Sequence, residues 1–332
     1  MGYLSQFLGR FSESFLAAVA LWPLASMALT LPILAYLYHR DGRMRAATAV
    51  SAYLAVLYVL GLGCFTLYPL PEGASGPGIT YGIEPRFNPL GFFDDVAKDG
   101  VRALPDMVAN VVFFVPLGFL AGRLLRWGLV PALALGFCAS LLIETAQLTG
   151  LFGVYPFAYR MFDVCDLICN TGGAAAGWGL AALAARLLPP GELAREGHVT
   201  NRPGFVRRAV AFWIDMMVAG ALLVIILLAA NFALMATGLP AWADDSGWER
   251  ALMAAVFVAV EGIVPWFRQG RTLGGGFVRM TCETRPRTGW RRAAFYVARV
   301  ATLACAIAFS PVALPILLVF YVVKRCMPYD LM

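Results

Sequence analysis

The stretch 128–150 reads GLVPALALGFCASLLIETAQLTG, an apolar run whose one charged residue is Glu144. A membrane-spanning helix needs about 20 consecutive apolar residues, so this run reads as a span and sets the fold class. Its acid and its amide, Glu144 and Gln147, are three apart and share one helix face. An ionisable group in hydrocarbon costs about 2.5 kcal/mol or more, so it is by default partnered and functional. Glu144 therefore marks both the fold and the place to look for activity.

Runs of similar character lie near 14–38, 46–68, 107–125 and 164–188, and, after a break, near 208–238, 249–267 and 290–324. The composition agrees with them. The chain has 332 residues, 60% hydrophobic and 14% charged, whereas a soluble domain carries about 25% charged residues. The expected fold is an all-α polytopic membrane protein of about eight spans, five before the break and three after it. The break, Pro189 to Pro203, holds Pro-Pro-Gly with Glu192, Arg195, Glu196 and Asn201. It reads as a linker, dividing the chain into a module at 1–188, a linker at 189–203 and a second module at 204–332. Only Arg10 precedes the first apolar run and Glu13 follows it, so the N-terminus reads as a span rather than a signal peptide.

Charge orients the spans. Of 26 basic residues only Lys98 and Lys324 are lysine. The arginines collect in 40–45, at 123 and 126, between 186 and 208, and between 268 and 299, which fall on one side if the spans alternate. The opposite loops are acidic: 69–106 holds Glu72, Glu84, Asp94, Asp95, Asp99 and Asp106 against Arg86, Lys98 and Arg102, and Asp244, Asp245 and Glu249 follow the sixth span. The positive-inside rule then puts the linker in the cytoplasm and the N-terminus outside. The expected location is the cytoplasmic membrane. Residues 290–324 exceed one span and contain Pro311 and Pro315; the charge rule favours a re-entrant hairpin, which returns Lys324 and Arg325 to the cytoplasm. Arginines in short loops between apolar runs argue against nucleic-acid binding. Seven cysteines are scattered; Cys165 and Cys169 are four apart but have no second pair and no histidine nearby, so they read as small hydrophobes, with no metal site and no cofactor expected.

With that orientation, seven polar residues gather toward the outside. Asn110 lies at the outer end of the third span, and Glu144 and Gln147 near the outer end of the fourth. Arg160, Asp163 and Asp166 lead into the fifth, with Asn170 one turn further in. A helix rises 1.5 Å per residue, which places all seven within about 10 Å of depth. One reading is interhelical glue, Arg160 pairing with Glu144 or Asp163 at about 0.6–2 kcal/mol. The other notes three carboxylates against a single arginine, an acidic excess suited to acid–base work, proton uptake or cation binding. Pro116 would kink the third span, either for packing or to free a carbonyl toward the cluster.

Asn110 with Phe114-Val115-Pro116-Leu117-Gly118, then Glu144-Thr145-Ala146-Gln147, then Arg160 with Asp163, Asp166, Asn170, Thr171 and Gly172, resembles the signature of VanZ-like membrane proteins. The resemblance covers about residues 20–190, its specific part within 107–175. The family is named for a protein that raises resistance to the glycopeptide teicoplanin. The resemblance implies a cell-envelope role and supplies no biochemical activity.

In the second module Arg207-Arg208-Ala209-Val210-Ala211-Phe212-Trp213-Ile214-Asp215 opens the sixth span. Arg208 and Asp215 are two turns apart, and Glu261 is a second acid inside a span. They read either as an anchor with helix–helix hydrogen-bonding residues or as a proton or cation relay. Together with Gly270-Arg271-Thr272-Leu273-Gly274 and Pro328-Tyr329-Asp330, this stretch resembles the RDD family over about 201–332. It departs from that family at Gly275, usually lysine, and Tyr329, often histidine. The resemblance implies cation/proton exchange, one activity reported for such proteins. Gly274-Gly275-Gly276 lacks the Walker lysine and reads as a turn.

The expected ligand is a membrane lipid or envelope-precursor headgroup at the outer leaflet. Arg160 would meet an anionic group, Glu144, Asp163 and Asp166 a cation or proton, and Asn110, Gln147 and Asn170 would orient the ligand. The alternatives are a cation/proton exchanger using Asp215, Glu261 and Asp330, and a non-catalytic scaffold for a partner protein that the sequence does not name. No nucleophile–base pair, heme ligation pattern or dinucleotide fingerprint is present, so no enzyme class follows.

Overall fold

The computed structural model describes residues 2–67, 84–100, 104–158, 160–188, 199–237 and 247–332. The linker acids Glu192 and Glu196, Arg195, and Asp244 and Asp245 lie outside them. Helices dominate: α1 Gly2–Asp41, α2 Ala46–Leu67, α3 Gly91–Asp99, α4 Leu104–Arg123, α5 Leu129–Leu148, α6 Val164–Leu187, α7 Phe205–Ala236, α8 Trp248–Phe267, α9 Leu273–Phe277, α10 Gly289–Ala308 and α11 Ser310–Lys324. Among the described residues there is no β-strand, only two isolated parallel bridges, Arg86 with Asp163 and Thr200 with Met280. Among the described residues seven helices (α1, α2 and α4 to α8) are long and apolar enough to cross a membrane. The protein is an all-α polytopic membrane protein.

The chain forms two compact units. One comprises Met1–Leu29 with Ala46–Gly191, the other Thr30–Arg45 with Glu192–Met332. The end of α1 thus packs with the second unit, where Ala35 and Tyr38 meet Val210, Ala211, Val278 and Met280.

In the first unit α4 and α6 touch backbone to backbone. A Cβ on Gly118 would overlap the Ala174 carbonyl, one on Gly173 the Val111 carbonyl, and one on Gly177 the Val115 carbonyl. Gly173, Gly177 and Ala181 recur every four residues, the spacing by which small residues let membrane helices approach closely. Lipid offers no hydrophobic drive for helix association, so this contact rests on dispersion at short range. Leu62, Phe114 and Leu117 fill the core beside it, with Tyr58, Leu135 and Ile143. Pro116 sits inside α4, and the hydrogen bond beside it comes from α2, Tyr58 Oη donating to Phe113 O at 2.6 Å. That contact favours the packing reading of the proline.

In the second unit residues 290–324 divide at Phe309 into α10 and α11. Both ends meet: Met327 and Tyr329 pack on Phe295 and Tyr296, and the Arg287 guanidinium donates to Asp330 O at 3.1 Å. This is a helical hairpin.

Candidate functional site

The polar cluster of the first unit is assembled from α4, α5, α6 and the segment before α3. On α5, Ser140, Glu144 and Gln147 share a face; on α6, Asp163, Asp166 and Asn170 do. The two faces are joined directly. Asp163 N–H donates to Glu144 Oε2 at 3.0 Å, and Asn170 Nδ2 donates to Ser140 Oγ at 2.9 Å. Asp163 is the N-cap of α6, its Oδ1 accepting from Cys165 N at 2.8 Å. An N-cap carboxylate satisfies a helix-end donor and complements the positive end of the helix. Asn110 Nδ2 on α4 donates to Asp166 Oδ1 at 2.5 Å. Gln147 Nε2 donates to Thr66 O of α2 at 2.8 Å.

Five of the seven residues expected from sequence, Asn110, Glu144, Asp163, Asp166 and Asn170, therefore come together, while Gln147, on the same face of α5 as Glu144, turns its amide to α2. Arg160 is the correction. It is exposed, and among the described residues it forms no ion pair, so the pairing with Glu144 or Asp163 is not made. Its charge is nonetheless close enough to act on both Glu144 and Asp166. The arginine bound to the cluster is Arg86. Its backbone bridges to residues 162–164 (Arg86 N to Phe162 O at 2.8 Å, Val164 N to Arg86 O at 3.1 Å), and its guanidinium pairs with Asp163 and, at 2.8 Å, with Asp95 of α3. These partners, Asp95 first and then Asp163, raise the Arg86 pKa and hold the guanidinium charged. The same contact holds the Asp95 carboxyl below its ordinary range. Sequence reasoning counted Arg86 only as one of three bases in an acidic loop; its signal was isolation, a lone arginine two residues before Asn88-Pro89.

With Asp163 neutralised by Arg86, the surplus narrows to Glu144 and Asp166. Among the described residues no ion pair reaches either. Glu144 is buried, and so is Asn170, whose Oδ1 has no hydrogen-bond partner. No three His, Cys, Asp or Glu side chains group as a metal site among the described residues. After α5 the chain makes a left-handed turn, with φ of 61°, 55°, 57° and 89° at Gly150, Leu151, Phe152 and Gly153. Left-handed backbone costs a non-glycine residue about 1–2 kcal/mol, so Leu151 and Phe152 are held against that cost by their surroundings. One restraint is Thr149 Oγ1, which accepts from Phe152 N at 3.0 Å.

Residues 55–185 match the family model VanZ/LLP1. The matched segment lies within the first unit and is similar to VanZ-like membrane proteins, and all seven cluster positions, with Arg86, fall inside it. No curated protein and no solved structure matches the chain.

In the second unit the expected quartet separates into two networks. Arg208 pairs with Asp330 at 2.8 Å and reaches Tyr329 Oη at 3.2 Å. Arg285 and Arg287 both donate to the Asp330 carbonyl, and Asp330 Oδ2 caps Met327 N at 3.0 Å. Asp215 does not join Arg208: its Oδ1 accepts from Gly274 N at 2.6 Å. Glu261, displayed by a π-turn at Ala259–Ile263, pairs with Arg299 at 2.5 Å. Arg285, Arg287 and Arg299 are residues of these networks that the sequence did not single out, and Tyr329 entered only as a departure from the family pattern. The gap of 38 residues between Glu261 and Arg299 carries no helical period to announce the pair.

Proposed function

We propose that the VanZ-like module binds a polar headgroup of a membrane lipid or envelope precursor in the α4–α5–α6 cluster, opening to the outer face of the cytoplasmic membrane. The observation that carries this reading is the pair of buried Glu144 and half-buried Asp166, with no ion-pair partner among the described residues. Carboxylates used only as glue are paired, because an unpaired buried charge is costly. Asp163, the third carboxylate, is so paired and serves as cap and strut. Asn110, Gln147 and Asn170 position the rest, and Arg160 stands at the mouth for an anionic group.

The test is susceptibility to teicoplanin in cells making equal amounts of the wild-type chain and of a Glu144→Gln, Asp166→Asn variant. The variant is expected to abolish any protection the chain confers. Unchanged protection would refute the reading.

A second reading, cation or proton exchange through residues 204–332, is supported by Asp215 and Glu261. Both are 0% exposed, and Asp215 Oδ2 and Glu261 Oε1 have no hydrogen-bond partner. It accords with the RDD resemblance, although Asp330 belongs to the separate Arg208 network. Dye-reported sodium or proton flux in proteoliposomes that equals an Asp215→Asn control would refute it.

A further inference from the structure

We propose that the ligand of the α5–α6 site is a lipid-borne primary ammonium, the headgroup amine of an aminophospholipid reaching the site sideways from the outer leaflet. The proposal rests on the site reading above and narrows it.

The first ground is hydrogen-bond chemistry. Glu144 and Asp166 offer acceptors, and the unpartnered Asn170 Oδ1, on a side chain 3% exposed, is a third acceptor between the same two helix faces. The amide and backbone groups that donate here, Asn110 Nδ2, Asp163 N–H, Asn170 Nδ2 and Gln147 Nε2, are already engaged. A fitting ligand brings donors and positive charge. A primary ammonium has three N–H donors and no acceptor. A quaternary ammonium has the charge without the donors, and an anionic headgroup is repelled by both carboxylates.

The second ground is the rim. Phe87, Leu90 and Phe93 are exposed on the segment that Arg86 straps to the start of α6. That strap is tight: Phe87 and Phe162 rings lie 5.9 Å apart, and Cys165 Sγ lies 3.5 Å from Asn88 O. The left-handed turn after α5 presents Phe152 and Val154, 62% and 74% exposed. Apolar side chains at the ends of membrane helices embed in the headgroup–acyl boundary, and here they flank a polar site. An amphiphile satisfies both parts: its amine meets the acceptors, its phosphate meets exposed Arg160, and its acyl chains stay in the bilayer beside the apolar rim. A small soluble amine has no use for the rim.

The purified full chain is incubated with mixed micelles holding equal amounts of dioleoyl phosphatidylethanolamine, its N-monomethyl and N,N-dimethyl forms, phosphatidylcholine and phosphatidylglycerol, and the retained lipid is quantified by mass spectrometry. Phosphatidylethanolamine is expected to exceed phosphatidylcholine by about tenfold, the equivalent of one or two charge-assisted hydrogen bonds, and to fall stepwise with each methyl group. The Glu144→Gln, Asp166→Asn variant is expected to lose the preference, while Arg268→Ala, in the other unit, keeps it. Tail-free glycerophosphoethanolamine is expected not to compete. Equal retention of the ethanolamine and choline lipids, or full competition by the tail-free compound, overturns the proposal. Preferential retention of phosphatidylglycerol that the double variant abolishes overturns the amine and leaves the site reading standing. Retention indifferent to the double variant overturns both. The methylation series is read on the wild-type chain, so it decides the matter even if the variant does not fold.

Discussion

Arg86→Met removes the guanidinium that joins the α3 segment to the start of α6 and keeps most of the aliphatic stem. Breaking a well-buried pair by deleting one partner costs about 3–5 kcal/mol. The Asp163 side chain is 9% exposed but Arg86 is 28% exposed, and Asp163 retains the Cys165 N–H, so the expected loss is about 2–3 kcal/mol. The second pair is different. Asp95 is 34% exposed, and pairs of that kind are worth about 0–1 kcal/mol. A double-mutant cycle separates the two: coupling of Arg86 to Asp163, measured with Asp163→Asn, is expected near about 2 kcal/mol, and coupling to Asp95, with Asp95→Asn, below about 1 kcal/mol. Unfolding of the full chain in mixed micelles of rising dodecyl sulfate, followed by circular dichroism, supplies the free energies. A folded-state pKa below the unfolded value adds stability above the unfolded pKa, about 3.9 for Asp, and that stability is lost as pH falls through the folded pKa. The Asp95 coupling is therefore intact at neutral pH and fades as pH falls below about 3.9, through the lowered pKa of the folded state. An Asp95 coupling equal to or larger than that of Asp163, or an Arg86→Met variant as stable as the wild type, would refute the assignment of Arg86 as the strut of the site.

Further outcomes follow from the packing and the charges. Gly177→Val drives a side chain into the Val115 carbonyl of α4 and is expected to cost about 1–3 kcal/mol. Gly179→Val, whose Cβ meets nothing within 4 Å, stays within about 0.5 kcal/mol of the wild type in the same assay. Arg299→Met orphans Glu261 in a fully buried place and is expected to destabilise by about 3–5 kcal/mol. Adding Glu261→Gln to it recovers most of that loss, so a double variant no better than the single would argue against the pair. For orientation, a chain cleared of its native cysteines and carrying Arg160→Cys reacts with an impermeant maleimide on intact cells, whereas Asn201→Cys reacts only after permeabilisation. The reverse pattern would place the site on the cytosolic side.

The spans were legible because a bilayer demands long apolar runs, and a run such as 129–148 has no competing reading. The faces of α5 and α6 were legible for a related reason: Glu144 with Gln147, and Asp163 with Asp166 and Asn170, repeat at the helical period, which is a local property. What sequence could not carry is pairing between segments with no fixed spacing. Arg86 finds Asp163 from a distance of 77 residues through a backbone bridge, and nothing periodic announces it. Arg160, three residues before Asp163, looked like the natural partner by proximity, yet the strap occupied that carboxylate first. The Arg208–Asp330 pair, 122 residues apart, is of the same kind. Pro116 and Gly118 were visible as unusual residues, but only the closeness of α4 to α6 shows that the glycine matters for packing.

The two units treat buried acids differently, and the difference bears on which of them holds a ligand. In the second unit Asp330 has Arg208, Glu261 has Arg299, and Glu283 has Arg292 at 2.9 Å; Asp215 is the exception, turned to the Gly274 backbone. Arginines reach the carboxylates from other helices and loops, and the pairs close the unit on itself. In the first unit the available strut, Arg86, goes to Asp163, and Arg160 stays at the exposed rim. Arg160 keeps its hydration at the surface, and closing on Glu144 or Asp166 would set the Coulomb gain of a pair against the cost of desolvating the guanidinium. That it remains outside leaves acceptors within and a cation at the lip, an arrangement that the proposed zwitterionic headgroup would complement with its two charges in the opposite order.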